Sequence, residues 1–296
     1  MFTAKRVFCL FGILGIAFGL GCDSKVDPET RRILYFSAIP DQNTTELEEK
    51  FGAVGKYLED QLDIVVEYIP ATDYKASVEM FRNGDVHLAW FGGLTGVQAR
   101  HSVPGARAIA QGEEDPKYLS YFIAHKDTQL EPSETFPHAI GQFAFTFGSE
   151  SSTSGRLMPE YFIRQNTGKS PVEFFKTPPG FSGNHDKTVE LVESGQVQVG
   201  AVNYKVYDKR VATGKTDPAA CRVIWVTPPY ADYNFTAHPD LEQRFGDGFT
   251  DRLQTALINM KDPQLLSAFP RKSLIKATNQ DFNIIQNVAK ELGFLR

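Results

Sequence analysis

The chain has 296 residues, of which 42% are hydrophobic and 23% are charged, and its formal net charge is -5. The negative balance argues against nucleic acid as a partner, because nucleic-acid phosphates attract basic surfaces. The length suits two domains of ordinary size, each with its own core. The sequence contains no metal-type spacing of Cys and His, no Walker loop and no short-period repeat, so we expect no metal site, no ATPase and no solenoid.

The first residues are typical of an export signal. Lys5 and Arg6 precede an apolar stretch at 7–20, which is shorter than the roughly 20 residues needed to span a bilayer. The stretch ends in Gly-Leu-Gly before Cys22, which resembles a bacterial lipobox and predicts lipidation of Cys22. Asp23 resembles the signal that keeps such lipoproteins at the inner membrane. The alternative is an ordinary cleaved signal with a chance cysteine, and either interpretation predicts export.

These features divide the amino-terminal region into a signal peptide at 1–21 and a polar tether at 22–32. Cys9 would be removed with the signal and Cys22 would carry lipid, which leaves Cys221 alone. No intrachain disulfide is then available, so the fold must depend on its hydrophobic core.

Strands and helices alternate along the rest of the chain. Strands are predicted at 33–39, 64–69, 86–91 and 106–110, and then at 118–124, 143–147, 197–202 and 222–227. Helices lie between them and close the chain, and several begin at capping residues such as Asp73. This alternation predicts two α/β lobes with mainly parallel, doubly wound sheets.

Polar or glycine-containing loops follow three strands of the first half. They lie at 40–41, 72–74 and 91–95. Ligands of such sheets bind at the carboxyl ends of the strands, so these loops predict half of a binding site.

A run of hydroxyl residues follows the strand at 143–147. Ser152, Thr153 and Ser154 lead to Gly155, where a helix is expected to begin. Ser and Thr are favoured helix caps, and the free amides and positive dipole of a helix start also bind anions without Lys or Arg. An ordinary cap and an anion site both fit this pattern.

Four motifs occur in an order that resembles one known family. They are the helix start Asp73-Tyr74, the strand end Trp90-Phe91-Gly92, the run Ser152-Thr153-Ser154-Gly155 followed by Pro159, and the loop Gly183-Asn184-His185-Asp186. Together they resemble the phosphate, phosphite and phosphonate substrate-binding proteins of ABC transporters. Segments 37–42 and 91–100 are also similar to a subgroup labelled putative selenate transporter binding proteins. The resemblance extends from residue 33 to about 233.

The resemblance implies a type II periplasmic binding-protein fold, in which two doubly wound α/β lobes are joined by two hinge strands around a ligand cleft. Lobe 1 would comprise 33–122 plus 231–296, and lobe 2 would comprise 123–230. Such a protein captures a small tetrahedral oxyanion by hinge closure and delivers it to an ABC permease. Taken with the lipobox at Cys22 and with Asp23, the resemblance predicts a lipid-anchored, monomeric binding protein on the periplasmic or extracytoplasmic face of the inner membrane, without enzymatic activity or cofactor.

The resemblance also implies which residues bind the ligand. They are Ser152, Thr153, Ser154, Tyr74, Phe91, His185 and Asp232. Gly155 and Tyr233, which adjoin two of these residues in the chain, are further candidate ligand-binding residues. Phe91 stands where characterised phosphonate binders have a tyrosine, so one hydroxyl donor is missing and the identity of the ligand stays open.

Carboxylates opposite the hydroxyl run would decide between oxyanions. Selenate and sulfate are fully ionised at neutral pH and only accept hydrogen bonds, whereas phosphate, phosphite and phosphonates can keep a proton for a carboxylate to accept. If Asp41, Asp73 or Asp232 faces the ligand, a protonated phosphorus oxyanion is favoured over selenate. Asp73 has the alternative role of a helix cap, and His185 that of a capping or packing residue.

Two functions other than transport are compatible with parts of this pattern. A serine hydrolase would use Ser152 or Ser154 with His185 and an aspartate, but the chain has no Gly-x-Ser-x-Gly elbow. A sensory lipoprotein would use the same ligand-driven closure to signal to a membrane protein, and the sequence alone does not separate it from a transport protein.

Overall fold

The structure is a computed structural model that describes residues 32–295. The predicted signal peptide, Cys22 and the tether up to residue 31 lie outside this range. Among the described residues, no helix combines the length and the apolar character needed to cross a membrane.

The strands and helices follow each other as the alternating pattern predicts. The strands are β1 (Ile33–Ala38), β2 (Val65–Tyr68), β3 (Leu88–Phe91), β4 (Arg107–Gly112), β5 (Ser120–His125), β6 (Phe145–Phe147), β7 (Gly180–Phe181), β8 (Val199–Asn203), β9 (Cys221–Val226), β10 (Asn234–Ala237) and β11 (Leu274–Lys276). The α-helices are α1 (Thr44–Leu62), α2 (Tyr74–Asn83), α3 (Gly93–Ser102), α4 (Met158–Thr167), α5 (Pro171–Phe174), α6 (His185–Glu193), α7 (Tyr204–Ala212), α8 (Leu241–Phe245), α9 (Phe249–Asn259), α10 (Pro263–Leu266) and α11 (Asn283–Glu291).

The first sheet has the strand order β11-β4-β10-β3-β1-β2. β1 runs parallel to β2 and β3, and β10 lies antiparallel between β3 and β4. All four residues of β3 are buried, as expected for a strand covered on both faces. On α1, Phe51, Val54 and Leu58 keep helical spacing and are buried in the same core.

The second sheet has the order β7-β6-β8-β5-β9. β6 runs parallel to β7 and β8, whereas β5 is antiparallel to β8 and β9. Phe122, Phe145 and Val199, from three of its strands, are buried in one hydrophobic cluster.

Two details of the predicted sheets are wrong. Both sheets are mixed rather than mainly parallel, because β10 and β5 each run against their neighbours. The chain was also expected to end in helices alone, but β10 and β11 extend the first sheet after β9. Both missed strands are short, and β11 has two exposed residues out of three, so neither carries a strong local pattern.

The chain crosses between the two sheets twice, after β4 and after β9. The two crossing segments pair with each other: Tyr118 and Tyr230 exchange backbone hydrogen bonds of 2.7 and 3.0 Å. The N–H of Asp232 donates to the carbonyl of Asp115 at 3.0 Å. The predicted lobe boundaries at 122/123 and 230/231 fall inside β5 and inside the second crossing.

The helix after the hydroxyl run begins differently from the prediction. A π-helical turn, Thr153–Leu157, precedes α4, so the α-helix starts at Met158 instead of Gly155. The N–H of Leu157 donates to the carbonyl of Ser152 at 3.0 Å, five residues back. Pro159 has no N–H and lies in the first turn of α4, where none is needed.

Candidate functional site

The two halves of the molecule touch at two places: the loop after β6 meets the start of α3, and the segment after β1 meets the start of α6. Thr153 Oγ1, after β6, accepts a hydrogen bond of 2.9 Å from the N–H of Leu94 in α3. The N–H of His185, in α6, donates to the carbonyl of Asp41 at 3.1 Å. Each contact joins a segment of the first-sheet half to one of the second-sheet half, so the cleft between them is closed.

The hydroxyl run is buried in this contact region, with Ser152, Thr153 and Ser154 each no more than 2% exposed. Ser152 is the N-cap, and its Oγ accepts from the N–H of Gly155 at 2.9 Å. Ser154 Oγ makes no hydrogen bond of normal geometry, although the hydroxyl of Tyr230 lies near it. The run therefore caps its helix and still leaves a free hydroxyl.

Two glycines allow the close approach of the polar groups. A Cβ on Gly155 would lie 3.0 Å from Ser152 Oγ and 3.1 Å from His185 Cε1. A Cβ on Gly92 would lie 3.1 Å from Thr153 Oγ1. These distances leave no room for a larger side chain at either position.

His185 presents a hydrogen-bond donor from a fully buried ring. Its Nδ1 accepts from the N–H of Asn203 at 3.3 Å. Burial lowers the pKa of His185 to about 4, so the imidazole is neutral at neutral pH. A neutral ring with Nδ1 as acceptor carries its proton on Nε2, and Nε2 is buried without a partner.

Tyr74 presents a second buried donor from the first-sheet half. It follows Asp73, which is exposed and caps α2 by accepting from the N–H of Ala76 at 2.8 Å. Burial raises the pKa of the Tyr74 phenol well above 10, so the hydroxyl keeps its proton. Ser152 lies near this hydroxyl, which nevertheless has no hydrogen bond of normal geometry. Asp73 therefore has its alternative role as a cap, while Tyr74 faces the site.

Asp232 is the carboxylate that faces the hydroxyl run. Its Oδ1 accepts from the N–H of Gly93 at 2.8 Å and lies beside the Thr153 hydroxyl. Its Oδ2 is buried without a partner. Burial raises the pKa of Asp232 to about 7, and the Gly93 and Thr153 contacts oppose that shift only in part. Asp232 therefore offers one free oxygen as an acceptor.

Tyr233 forms the wall of the site, and its hydroxyl is already bonded. It donates to Asp41 Oδ2 at 2.8 Å and accepts from Asn203 Nδ2 at 2.9 Å. Its ring stacks on Trp90, with centroids 5.5 Å apart. Burial raises the pKa of Asp41 to about 6, against the effect of the Tyr233 bond. Tyr233 thus holds Asp41 and has no hydroxyl proton left to give.

Phe91 lies at the end of β3, as predicted, and is fully buried. Its ring packs edge-on against Phe81 of α2, with centroids 5.6 Å apart. The ring thus belongs to the packing between β3 and α2.

A buried ion pair behind the site was not predicted. Arg271 donates through Nε and Nη2 to Asp115 Oδ1 at 2.9 and 2.7 Å. Its guanidinium lies 4.9 Å from the ring centroids of both Tyr118 and Tyr233. The two charged residues are 156 positions apart, so no local pattern in the sequence connects them.

The free polar atoms of the site lie around the hydroxyl run. Tyr74 is beside Ser152, and Asp232 is beside Thr153. The described residues contain no group of three His, Cys, Asp or Glu side chains arranged for a metal ion. The buried atoms without a partner at this site comprise three donors and one acceptor, namely Tyr74 Oη, Ser154 Oγ, His185 Nε2 and Asp232 Oδ2.

Known proteins resemble the chain along most of its length. A family model described as the periplasmic phosphonate substrate-binding protein of ABC transporters matches residues 36–282. The probable ABC transporter phosphite binding protein PhnD1 of Prochlorococcus marinus is 39% identical over 272 residues, which cover 90% of this chain and 91% of the relative. The phosphonates-binding periplasmic protein of Escherichia coli is 25% identical over 203 residues, which cover 68% of this chain and 59% of that protein.

Solved structures show a similar fold. The structure of PhnD1 from Prochlorococcus marinus in complex with methylphosphonate matches with a TM-score of 0.83 and 39% identity, covering 89% of this chain and 99% of that one. A binding protein component of an ABC phosphonate transporter from Pseudomonas aeruginosa matches with a TM-score of 0.75 at 20% identity. The match covers 87% of this chain and 85% of that one. The second likeness concerns the fold alone.

Proposed function

The chain belongs to the periplasmic phosphonate-binding proteins of ABC transporters, and we propose that it captures a singly protonated phosphorus oxyanion such as phosphite or a phosphonate. The family and the type II α/β fold expected from the sequence motifs are both confirmed. The family consists of periplasmic transport proteins, which agrees with the expectation that the chain is not an enzyme.

The observation that carries this proposal is the combination of three unpartnered donors with one unpartnered acceptor in a closed, buried site. Buried polar atoms without partners are costly, and an oxyanion supplies acceptors for all three donors. Hydrogen bonds to a charged group contribute about 1.5–3 kcal/mol each. Three of them, with weaker contributions from neighbouring hydroxyls, are compatible with micromolar affinity, which corresponds to about -8 kcal/mol.

Asp232 supports a protonated ligand over a fully ionised one. Its free Oδ2 is an acceptor when ionised, so a P–OH group can donate to it. Sulfate and selenate have no proton at neutral pH, and an ionised carboxylate would repel them. One relative bears on the same choice, since PhnD1 is described as a probable phosphite binding protein and was solved in complex with methylphosphonate.

The hydrolase alternative has no support in the geometry. His185 Nδ1 accepts from a backbone amide instead of donating to a carboxylate, and Asp186 is paired with Arg210 at 2.8 Å. A catalytic triad needs the aspartate on the histidine.

The remaining features of the proposal rest on the sequence pattern. They are the lipid anchor at Cys22, the monomeric state, the lobe boundaries, and delivery of the ligand to a permease rather than to a signalling protein. A permease and an ATPase encoded beside this protein would favour transport over sensing.

A thermal-shift panel tests the choice of ligand. Phosphite, phosphate, methylphosphonate, aminoethylphosphonate, selenate and sulfate are compared at equal concentration. A ligand at a hundred times its Kd adds about 2.7 kcal/mol to the free energy of unfolding. We expect stabilisation by the phosphorus compounds and none by sulfate or selenate. Stabilisation by selenate alone would contradict the proposal in favour of the selenate subgroup.

A further inference from the structure

The two halves also meet at the rim of the cleft, outside the ligand site. The segment 41–46 leads from β1 into α1, and it faces α6 and α7 of the other half. A groove with a volume of about 420 Å³ lies between these elements. Three contacts cross the groove, and we call them the rim clasp: Asp186 to Asn43, Lys209 to Gln42, and Lys215 to Glu46.

The inner part of the rim clasp is held in place by its own half. The N–H of Asn43 donates to Asp186 Oδ2 at 3.1 Å. The other carboxylate oxygen of Asp186 accepts from Arg210 Nη1 at 2.8 Å, and Arg210 also donates to Thr216 at 3.0 Å. Arg210 and Thr216 belong to the same half as Asp186, so these two bonds do not depend on the other half.

The outer part consists of one exposed ion pair and one hydrogen bond to a buried amide, that of Gln42. Lys215 Nζ lies 3.0 Å from Glu46 Oε1, and the two side chains are 56% and 46% exposed. Lys209 Nζ donates to Gln42 Oε1 at 3.4 Å. Neither pair touches the hydroxyl run.

We propose that the rim clasp sets how long the ligand stays bound, without contacting it. The inference rests on the proposed function, because it requires a ligand enclosed by closure of these two halves. The ligand leaves only when the halves separate, and separation first breaks every contact of the rim clasp. Glu46 and Lys215 therefore slow dissociation of the ligand by stabilising the closed state.

The groove itself offers little to a second ligand. Its acidic and basic side chains pair with each other: Asp186 and Glu190 face Arg210 at 2.8 and 3.6 Å, and Lys187 lies 3.7 Å from Glu190. Since these charges compensate each other inside the groove, its role lies in joining the two halves.

A charge swap across the rim tests the inference. The variants are Glu46→Lys, Lys215→Glu and the two together, and the probe is methylphosphonate, whose dissociation rate is measured by stopped-flow displacement. We expect each single change to accelerate dissociation by about three- to tenfold, because an attraction becomes a repulsion. The double variant restores the pair and should return to within about twofold of the wild-type rate.

The matched control is Lys56→Glu on the same helix α1. Lys56 is 69% exposed and pairs with Asp60 at 3.2 Å within its own half, so its reversal should leave the dissociation rate unchanged. Two results would overturn the rim clasp. One is a wild-type dissociation rate in both single variants, and the other is a double variant whose rate is raised by the product of the two single effects. A wild-type protein that does not bind methylphosphonate or any other oxyanion of the panel would overturn the proposed function and the rim clasp together.

Discussion

Asp232 holds the first N–H of α3 and also keeps a free oxygen in the site. One oxygen is held by the N–H of Gly93, and the other is buried and free. Its carboxyl group is the acceptor in a site whose other free atoms are donors. Asp73 was another candidate for the carboxylate that faces the ligand. It is exposed, and its side chain caps the start of α2.

Replacing Asp232 by Asn should change which oxyanion binds. The N–H of Gly93 needs an acceptor, so the amide oxygen will face Gly93 and the NH2 group will face the ligand. We expect phosphite and methylphosphonate to bind about tenfold or more weakly and sulfate to bind measurably, as determined by calorimetry. Asp73→Asn is the control, since Asn also caps helices well and should leave both affinities unchanged. A D232N variant with the wild-type preference would show that this carboxylate does not select the ligand.

The raised pKa of Asp232 predicts how its contribution to stability changes with pH. The folded protein binds this proton more tightly than the unfolded chain. The free energy of unfolding therefore falls as pH rises from about 4 to about 7. His185 acts in the opposite direction, because its pKa is lowered. Urea unfolding of wild type and D232N should therefore be compared at each pH. We expect the variant to gain stability relative to wild type as pH rises; a constant difference would contradict the burial of this group.

At the scale of elements, the loop and π-turn after β6 connect the sequence pattern to the site. The hydroxyl run could be found from the sequence because its capping chemistry is local: Ser152 bonds Gly155 three residues later. The π-turn could not be predicted from the sequence, because it depends on a backbone hydrogen bond from the N–H of Leu157 to the carbonyl of Ser152 that no residue type specifies. Phe91 was placed correctly at a strand end, but sequence could not tell which face of β3 its ring occupies.

Gly155→Ala should weaken binding more than it weakens folding. The added methyl group would approach Ser152 Oγ, His185 Cε1 and Gly148 Cα within about 3 Å, and so would push His185 Nε2 away from the ligand. We expect at least a tenfold increase in Kd for methylphosphonate. Gly52→Ala on α1 is the control, because nothing lies within 4 Å of the Cβ that alanine adds there. In a helix, alanine is also more stable than glycine by about 0.5–1 kcal/mol. Equal affinity of the Gly155 variant and wild type would contradict the packing of this turn.

At the scale of the whole molecule, alternation of strands and helices was sufficient to predict two α/β halves. It did not reveal that β10 returns to the first sheet between β3 and β4, since that pairing joins segments more than 120 residues apart. The network behind the site also joins segments that no local sequence pattern connects. Asn203 to Tyr233 and Arg271 to Asp115 are contacts that only the folded chain brings together.

The two crossings place the site where both halves contribute to it. Tyr74 and Asp232 come from the first-sheet half and its crossing, whereas Ser154 and His185 come from the second-sheet half. A ligand that bonds all four holds the halves together, and the rim clasp adds contacts outside the site. The proposed function therefore couples closure of the two halves to recognition of the ligand.

Proton uptake on binding tests the central claim most directly. Calorimetric titrations with methylphosphonate, in buffers of different ionisation heat, measure the protons taken up per ligand. At a pH where the free ligand is a dianion and Asp232 is ionised, the complex must still share one proton between a ligand oxygen and Asp232 Oδ2, so binding should take up about one proton in wild type and none in D232N. Tight binding by wild type with no proton uptake at that pH would contradict recognition of a protonated oxyanion.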